Sequence, residues 1–204
     1  MILASDSIEI EGLYETVGHI YHSGFYCSAL STGNGGLIYL STPLLSMNGG
    51  RISVETRVSG SGGAILIEAD TINLSERAMI TSSSIGTGNA GSIDISSDII
   101  TIDASMINTS SIQSAGGNIN ITTGDLHLTN KSSITASVRR GEGGGGNVTI
   151  NSVAFAALEG SSVTASADRG FVGDIIINSQ AVVLSDDSTL NASSNVVGRE
   201  GRIA

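Results

Sequence analysis

Aromatic side chains are scarce: 3% of 204 residues, with no tryptophan and three phenylalanines. The core must therefore be aliphatic and thin. Proline is almost absent, with one residue against 27 glycines, so the chain turns on glycine. Cys27 is the only cysteine, which excludes an internal disulfide. Charge is sparse and of one sign, with 14% charged residues and a net charge of −10. Such a surface offers no counter-charge to nucleic acid or to an anionic membrane, and neither is expected as a partner. No window approaches the roughly 20 apolar residues of a membrane helix, so no membrane insertion is expected. The opening "MILASDSIEIEG" has neither the basic region nor the apolar stretch of a signal peptide. The expectation is either an intracellular protein or a piece of a longer exported chain.

What the sequence has in abundance is short apolar–polar alternation after glycine turns. Aligned on the first pair after each turn, the runs are Ile38/Leu40, Ile65/Ile67, Ile93/Ile95, Ile119/Ile121, Val148/Ile150 and Ile175/Ile177. Successive first members are 27, 28, 26, 29 and 27 residues apart, and a further step of 28 reaches Ile203. A second run begins five residues later in each repeat: Leu45/Met47, Ile72/Leu74, Ile100/Ile102, Leu126/Leu128, Phe155/Ala157 and Val182/Leu184. A third run follows: Ile52/Val54, Ile80/Ser82, Ile107/Thr109, Ile134/Ala136, Val163/Ala165 and Leu190/Ala192. The second member of the third run is mostly small, which marks a tight inner corner.

Period-two alternation places each pair on one face of a strand. Three such strands cannot bury themselves alone, whereas stacked repeats can. The spacing predicts an all-β protein, a right-handed parallel β-helix (β-solenoid) of about six three-stranded coils, roughly 28 residues each. At ~4.8 Å per coil, six coils span roughly 30 Å. A β-sandwich could use strands at similar spacing, but it would not require the five-residue gap to recur. Residues 1–204 read as one domain with a partial coil at each end. "SDSIEIE" (5–11) resembles "SDIITID" (97–103), so Ile8/Ile10 form a second strand and Phe25/Cys27 a third. Cys27 is then a small core residue. Residues 11–24 are the one excursion, and 194–204 form the terminal partial coil.

The outward positions of the third strand form two ladders of small polar side chains. They read Ser53/Glu55, Thr81/Ser83, Asn108/Ser110, Thr135/Ser137, Thr164/Ser166 and Asn191/Ser193. The grid, ~6.7 Å along the strand and ~4.8 Å between coils, could face a polysaccharide or ice. The simpler reading is that small polar groups solvate an outer sheet, since Asn108, Asn191 and Glu55 break the Thr repeat that an ice-matching face needs. Polysaccharide-cleaving enzymes need paired carboxylates on one face. Asp94 has Leu66 and Asn120 as ladder neighbours, and Asp186, Asp187 and Glu159 read as solvated turns with no basic side chain beside them. No catalysis is expected. The excursion carries Tyr14, His19, Tyr21 and His22, a candidate contact loop. With Glu15 its two histidines fall short of a metal set. "VRRGEGGGG" (138–146) reads as a spacer beside Arg139 and Arg140. The turns lack the Asp of calcium-binding nonapeptides and the Gly-Lys-Ser/Thr of phosphate loops, and no cofactor is expected.

As a package, "GNAGSIDISSDIITIDASMINTSS", "GGNINITTGDLHLTNKSSITAS" and "GGNVTINSVAFAALEGSSVTASA" resemble the repeat region of filamentous-haemagglutinin-like exoproteins of two-partner secretion systems. The resemblance covers about residues 5–203. It implies export through an outer-membrane β-barrel transporter, a secreted or cell-surface location, and a stalk or adhesive role toward host or surface glycans or proteins. The signal peptide and N-terminal secretion domain of that family have no counterpart here, so the chain looks like a C-terminal fragment. Carbohydrate or ice binding by the third-strand ladder is the alternative. The unfinished coil at Ile203 predicts an exposed edge and end-to-end self-association.

Overall fold

The computed structural model describes residues 1–16, 19–196 and 201–204, with side chains outside 13–20. Among them there is no helix. The chain is a β-solenoid of six coils. Each strand pairs in parallel with its counterpart in the next coil, so that Ile65, Ile93, Ile119, Val148 and Ile175 form one continuous row. The rows Ile52–Ile80–Ile107–Ile134–Val163–Leu190 and Ile8–Leu45–Ile72–Ile100–Leu126 repeat the arrangement on the other faces. Buried isoleucine, leucine and valine from all faces make one core along the axis. β-Branched residues suit this role because they pack closely on a pleated surface.

The expected first and second strands join. Leu37–Asn48, Ala64–Ser75, Ile93–Asp103, Ile119–Thr129 and Val148–Glu159 are each one bent strand of 11 or 12 residues. Of the six full coils the last keeps them apart, as Ile175–Asn178 and Ala181–Ser185, and so does the N-terminal partial coil, as Ile2–Leu3 and Ser7–Glu11. Hydroxyls sit inside most of these bends, with Ala69 taking their place in the second coil. Ser97 Oγ lies 3.0 Å from the Asp70 carbonyl oxygen and 2.9 Å from that of Ile99. Thr123 and Ser152 repeat the pattern toward Asp98 and Asp125, and toward Gly124 and Phe155. Each hydroxyl has one proton to give and sits between two backbone carbonyls at the bend.

One register expectation is corrected. Asp125 pairs with Phe155, Leu126 with Ala156 and Leu128 with Leu158, with an irregularity between Thr123 and Asp125. Ala156 and Leu158 therefore face the core, not Phe155 and Ala157. The fifth coil carries one extra residue at its bend, which exposes Val153 and turns Phe155 outward against the His127 ring, centroids 5.6 Å apart.

The corner before each first run is a column of glycines. A Cβ at Gly91 would lie 1.7 Å from the Gly63 carbonyl oxygen, at Gly117 1.8 Å from that of Gly91, and at Gly146 1.8 Å from that of Gly117. No side chain fits there. The small inner residues of the third strand face this column, and two use it: Ser82 donates to the Gly63 carbonyl at 2.9 Å and Thr109 to that of Gly117 at 2.7 Å. The predicted tight corner is thus a close backbone stack. The glycines of 141–146 belong to it, with Gly145 donating to the Phe171 carbonyl and Gly144 accepting from Gly116, so that segment is packed turn rather than spacer.

The corner between second and third runs alternates. Gly49, Ala104 and Gly160 are single residues with positive φ, in the first, third and fifth coils. Glu76/Arg77, Asn130/Lys131 and Asp186/Asp187 are pairs with positive φ, in the second, fourth and sixth. The longer turns each insert one more residue between core positions, as in Leu74 to Ile80 against Ile102 to Ile107. Behind them, Ser105 Oγ accepts from the Ala78 amide and Ser132 Oγ from the Ser105 amide, linking successive coils.

The ends are fuller than expected at one side. Ile2–Leu3 pairs with Leu40 and Ser41, adding a first-face stub to Ile8/Ile10 and Phe25/Cys27. The excursion is an antiparallel hairpin, Leu13–Thr16 with His19–His22. At the other end Ile203 bridges Ile175 in parallel, opening the next coil where the repeat predicts it.

Candidate functional site

The third-strand ladders are in register across all six coils. Ser53, Thr81, Asn108, Thr135, Thr164 and Asn191 form one, and Glu55, Ser83, Ser110, Ser137, Ser166 and Ser193 the other. They are not uniformly open. Ser53 and Thr81 are 5% and 3% exposed. Thr81 donates to Ser53 at 3.1 Å, and Arg51 Nη2 donates to Thr81 Oγ1 at 3.4 Å. The Asn108 Oδ1 atom is shielded and has no hydrogen-bond partner. Past Asn108 the ladder is half-buried, and only Asn191 is exposed.

A second surface lies over the bend between first and second runs. There an open groove of about 740 Å³ crosses several coils, lined by Ser41, Glu68, Asp70, Asp98 and Thr122 among others. Tyr39 donates to Glu68 Oε2 at 2.7 Å, and this bond to a carboxylate raises the phenol pKa above its ordinary value. Asp94 lies between Leu66 and Asn120 as the spacing predicts, and accepts from Asn120 Nδ2 at 2.7 Å and from Ser92 Oγ at 3.0 Å. It is engaged in the stack, with no second carboxylate directly across it.

The third surface is the alternating corner. The two-residue turns project and the one-residue turns are recessed, so hollows open at the recessed ones. The hollow at the first coil is lined by Glu11, Gly12, Asn48 and Glu76. The one at the fifth gathers Glu159, Gly160, Asp186 and Asp187 with Lys131. The expectation that no basic side chain stands beside these acids is corrected: Lys131 shares their hollow. The middle hollow, about 300 Å³ at the third coil, is lined by His22, Arg77, Met79, Ala104, Met106, Lys131 and Ser133 among others. Asp103 beside it accepts from Thr129 Oγ1 and Asn130 Nδ2, and these bonds hold its carboxyl below the usual aspartate range. Sequence reasoning missed this edge. Its signal was the count of residues between core positions, four or five in strict alternation.

Within the candidate contact loop, His22 Nδ1 lies 2.6 Å from the Gly49 carbonyl, so that nitrogen carries the proton and donates. Tyr21 is exposed, and Tyr26 donates to the His22 carbonyl at 2.7 Å. The side chains of Tyr14, Glu15 and His19 lie outside the described residues. Among the described residues no three His, Cys, Asp or Glu side chains group to hold a metal ion. Cys27 is half-buried and packs on the core.

By its fold the chain is a parallel β-solenoid. Compared with protein-family models, curated proteins and solved structures, it matches none.

Proposed function

We propose that the protein is a structural and adhesive β-solenoid module without catalysis, acting at the bacterial surface or outside the cell. One observation carries this reading: many outer polar side chains bond from one coil to the next. Thr81 bonds to Ser53, Asn120 to Asp94, Asn130 to Asp103, Asn178 to Asn151 and Asn195 to Asp168, each between adjacent coils. Groups arranged this way stiffen a stack; they do not converge on a reacting atom. The resemblance to haemagglutinin-like exoproteins supports export through an outer-membrane β-barrel transporter as part of that role.

The test is a glycan array probed with the 204-residue chain, alongside assays for unsaturated or hydrolysed products from acidic polysaccharides. The adhesive reading expects binding to a limited set of glycans and no product. Product formation diminished by Asp94→Asn would overturn it. A silent array with no product leaves the spacer role alone and removes the adhesive one. Carbohydrate binding along the open bend groove is the second reading, favoured by its size and its hydroxyl and carboxylate lining. Ice binding has weaker support, since Ser53 and Thr81 are shielded and bonded to each other; absence of thermal hysteresis would remove it.

We also propose association through the C-terminal end, where Ala181–Ser185 and Thr189–Ser194 each pair on one side only. Open strand edges of this kind template further pairing.

A further inference from the structure

The middle hollow of the alternating corner has a chemistry its neighbours lack. Arg77 and Lys131 stand on the projecting turns on either side, two coils or ~9.6 Å apart along the axis. Ala104, the recessed residue between them, is too small to fill the gap. Met79, Met106 and Ser133 supply an apolar wall and a free-standing hydroxyl. Both cations are exposed, and among the described residues neither takes part in an ion pair. The fold does not ask for them. Their φ values of 68° and 65° lie in the left-handed region, which disfavours long side chains and suits the Gly49 and Gly160 of the recessed turns. In a chain of net charge −10, two unpaired cations over one apolar-walled notch form a local exception.

We propose that this notch binds a single carboxylate carried on a sugar ring, that is, a terminal acidic sugar. The guanidinium can hold the carboxylate through two parallel bonds while the ammonium acts as a point charge. The thioethers cover the apolar face of the ring. At about 300 Å³ the notch admits one unit. The flanking hollows disfavour further negative charge, with Glu11 and Glu76 on one side and, on the other, Glu159, Asp186 and Asp187 outnumbering the Lys131 that both hollows share. A long polyuronate is therefore refused where its end unit is accepted. The sugar class rests on the adhesive reading above; the anion site rests on the notch alone.

The experiment titrates the 204-residue chain with galacturonate, galactose and inorganic sulfate, followed by backbone amide shifts at 76–79, 103–106 and 130–133. Galacturonate should bind at least tenfold more tightly than galactose and than sulfate. Arg77→Gln and Lys131→Gln should each weaken it about tenfold, with unchanged thermal unfolding because both side chains are exposed. Glu76→Gln should leave it equal or tighter. Sulfate binding as tightly as galacturonate would overturn the sugar assignment. Shifts that survive both substitutions, or no shift with any ligand, would overturn the site itself. Failure here leaves the array result standing, so the two readings fail separately.

Discussion

In the N-terminal coil Ile8 and Ile10 are 7% and 6% exposed, whereas their counterparts in the last coil, Val182 and Leu184, are 43% and 47% exposed. Both pairs are aliphatic and occupy the same face of the same repeat. At the N-terminal end Phe25 packs onto the core in the slot that the smaller Leu190 fills at the other, and Ile2 and Ala4 add to the layer. At the C-terminal end Ile203 bridges Ile175, and among the described residues no strand pairs with the outer sides of Ala181–Ser185 and Thr189–Ser194. In a solenoid, then, burial depends on what lies above and below a residue more than on its type. Stability should rise from the open end inward.

The largest effect should come from the middle of the glycine column. Gly117→Ala would drive a Cβ to 1.8 Å from the Gly91 carbonyl, with coils packed on both sides. A loss of about 4 kcal/mol or more is expected in urea unfolding. A loss under about 1 kcal/mol would show that the stack can yield there. Next come core truncations. Ile121→Ala should cost about 2–5 kcal/mol and Ile10→Ala nearly as much, but Leu184→Ala less than about 1 kcal/mol. Equal losses at Ile10 and Leu184 would erase the contrast between the ends. The same contrast should appear in hydrogen exchange, with amides of 181–185 exchanging faster than those of 7–11.

The association proposed above should be a smaller, concentration-dependent effect. Sedimentation should show species larger than the monomer at high concentration, and Leu184→Lys should suppress them. A strict monomer at every concentration would mean that the exposed edge does not recruit a partner. The smallest effect concerns Asp103. Its folded pKa lies below the unfolded value, so its contribution is present above the usual carboxylate pKa and fades as pH falls through the folded one. The stability difference between wild type and Asp103→Asn should be measurable near pH 7 and shrink steadily in acid. A difference that grows in acid would reverse the assignment.

Much of the fold was legible in the sequence because the solenoid repeats its core positions. Ile93, Ile119 and Val148 announce themselves by spacing, and even the bridge at Ile203 follows from it. The fifth coil was misread because "SVAFAALEG" is apolar at nearly every position, so alternation gave no contrast and Phe155 outweighed Ala156. The joining of first and second strands has no single residue behind it: the bend slot reads Thr42, Ala69, Ser97, Thr123, Ser152 and Ser179, so joined and split coils carry the same kinds of residue there. The ladder residues were placed correctly, but their shielding was not foreseen. Exposure of Ser53 and Thr81 depends on larger neighbours such as Arg51, which reaches across to Thr81. The notch follows from turns that alternate in length, a pattern hidden when every repeat is aligned to one average period.

That alternation makes the coil pair, rather than the single coil, the natural unit of change. Deleting one internal coil would set two projecting turns side by side and abolish the hollow between, or set two recessed ones side by side and merge two hollows. Deleting two adjacent coils would restore the order of the edge while shortening the rod. Shuffled or engineered relatives of this chain should therefore tolerate lengthening and shortening in twos far better than in ones.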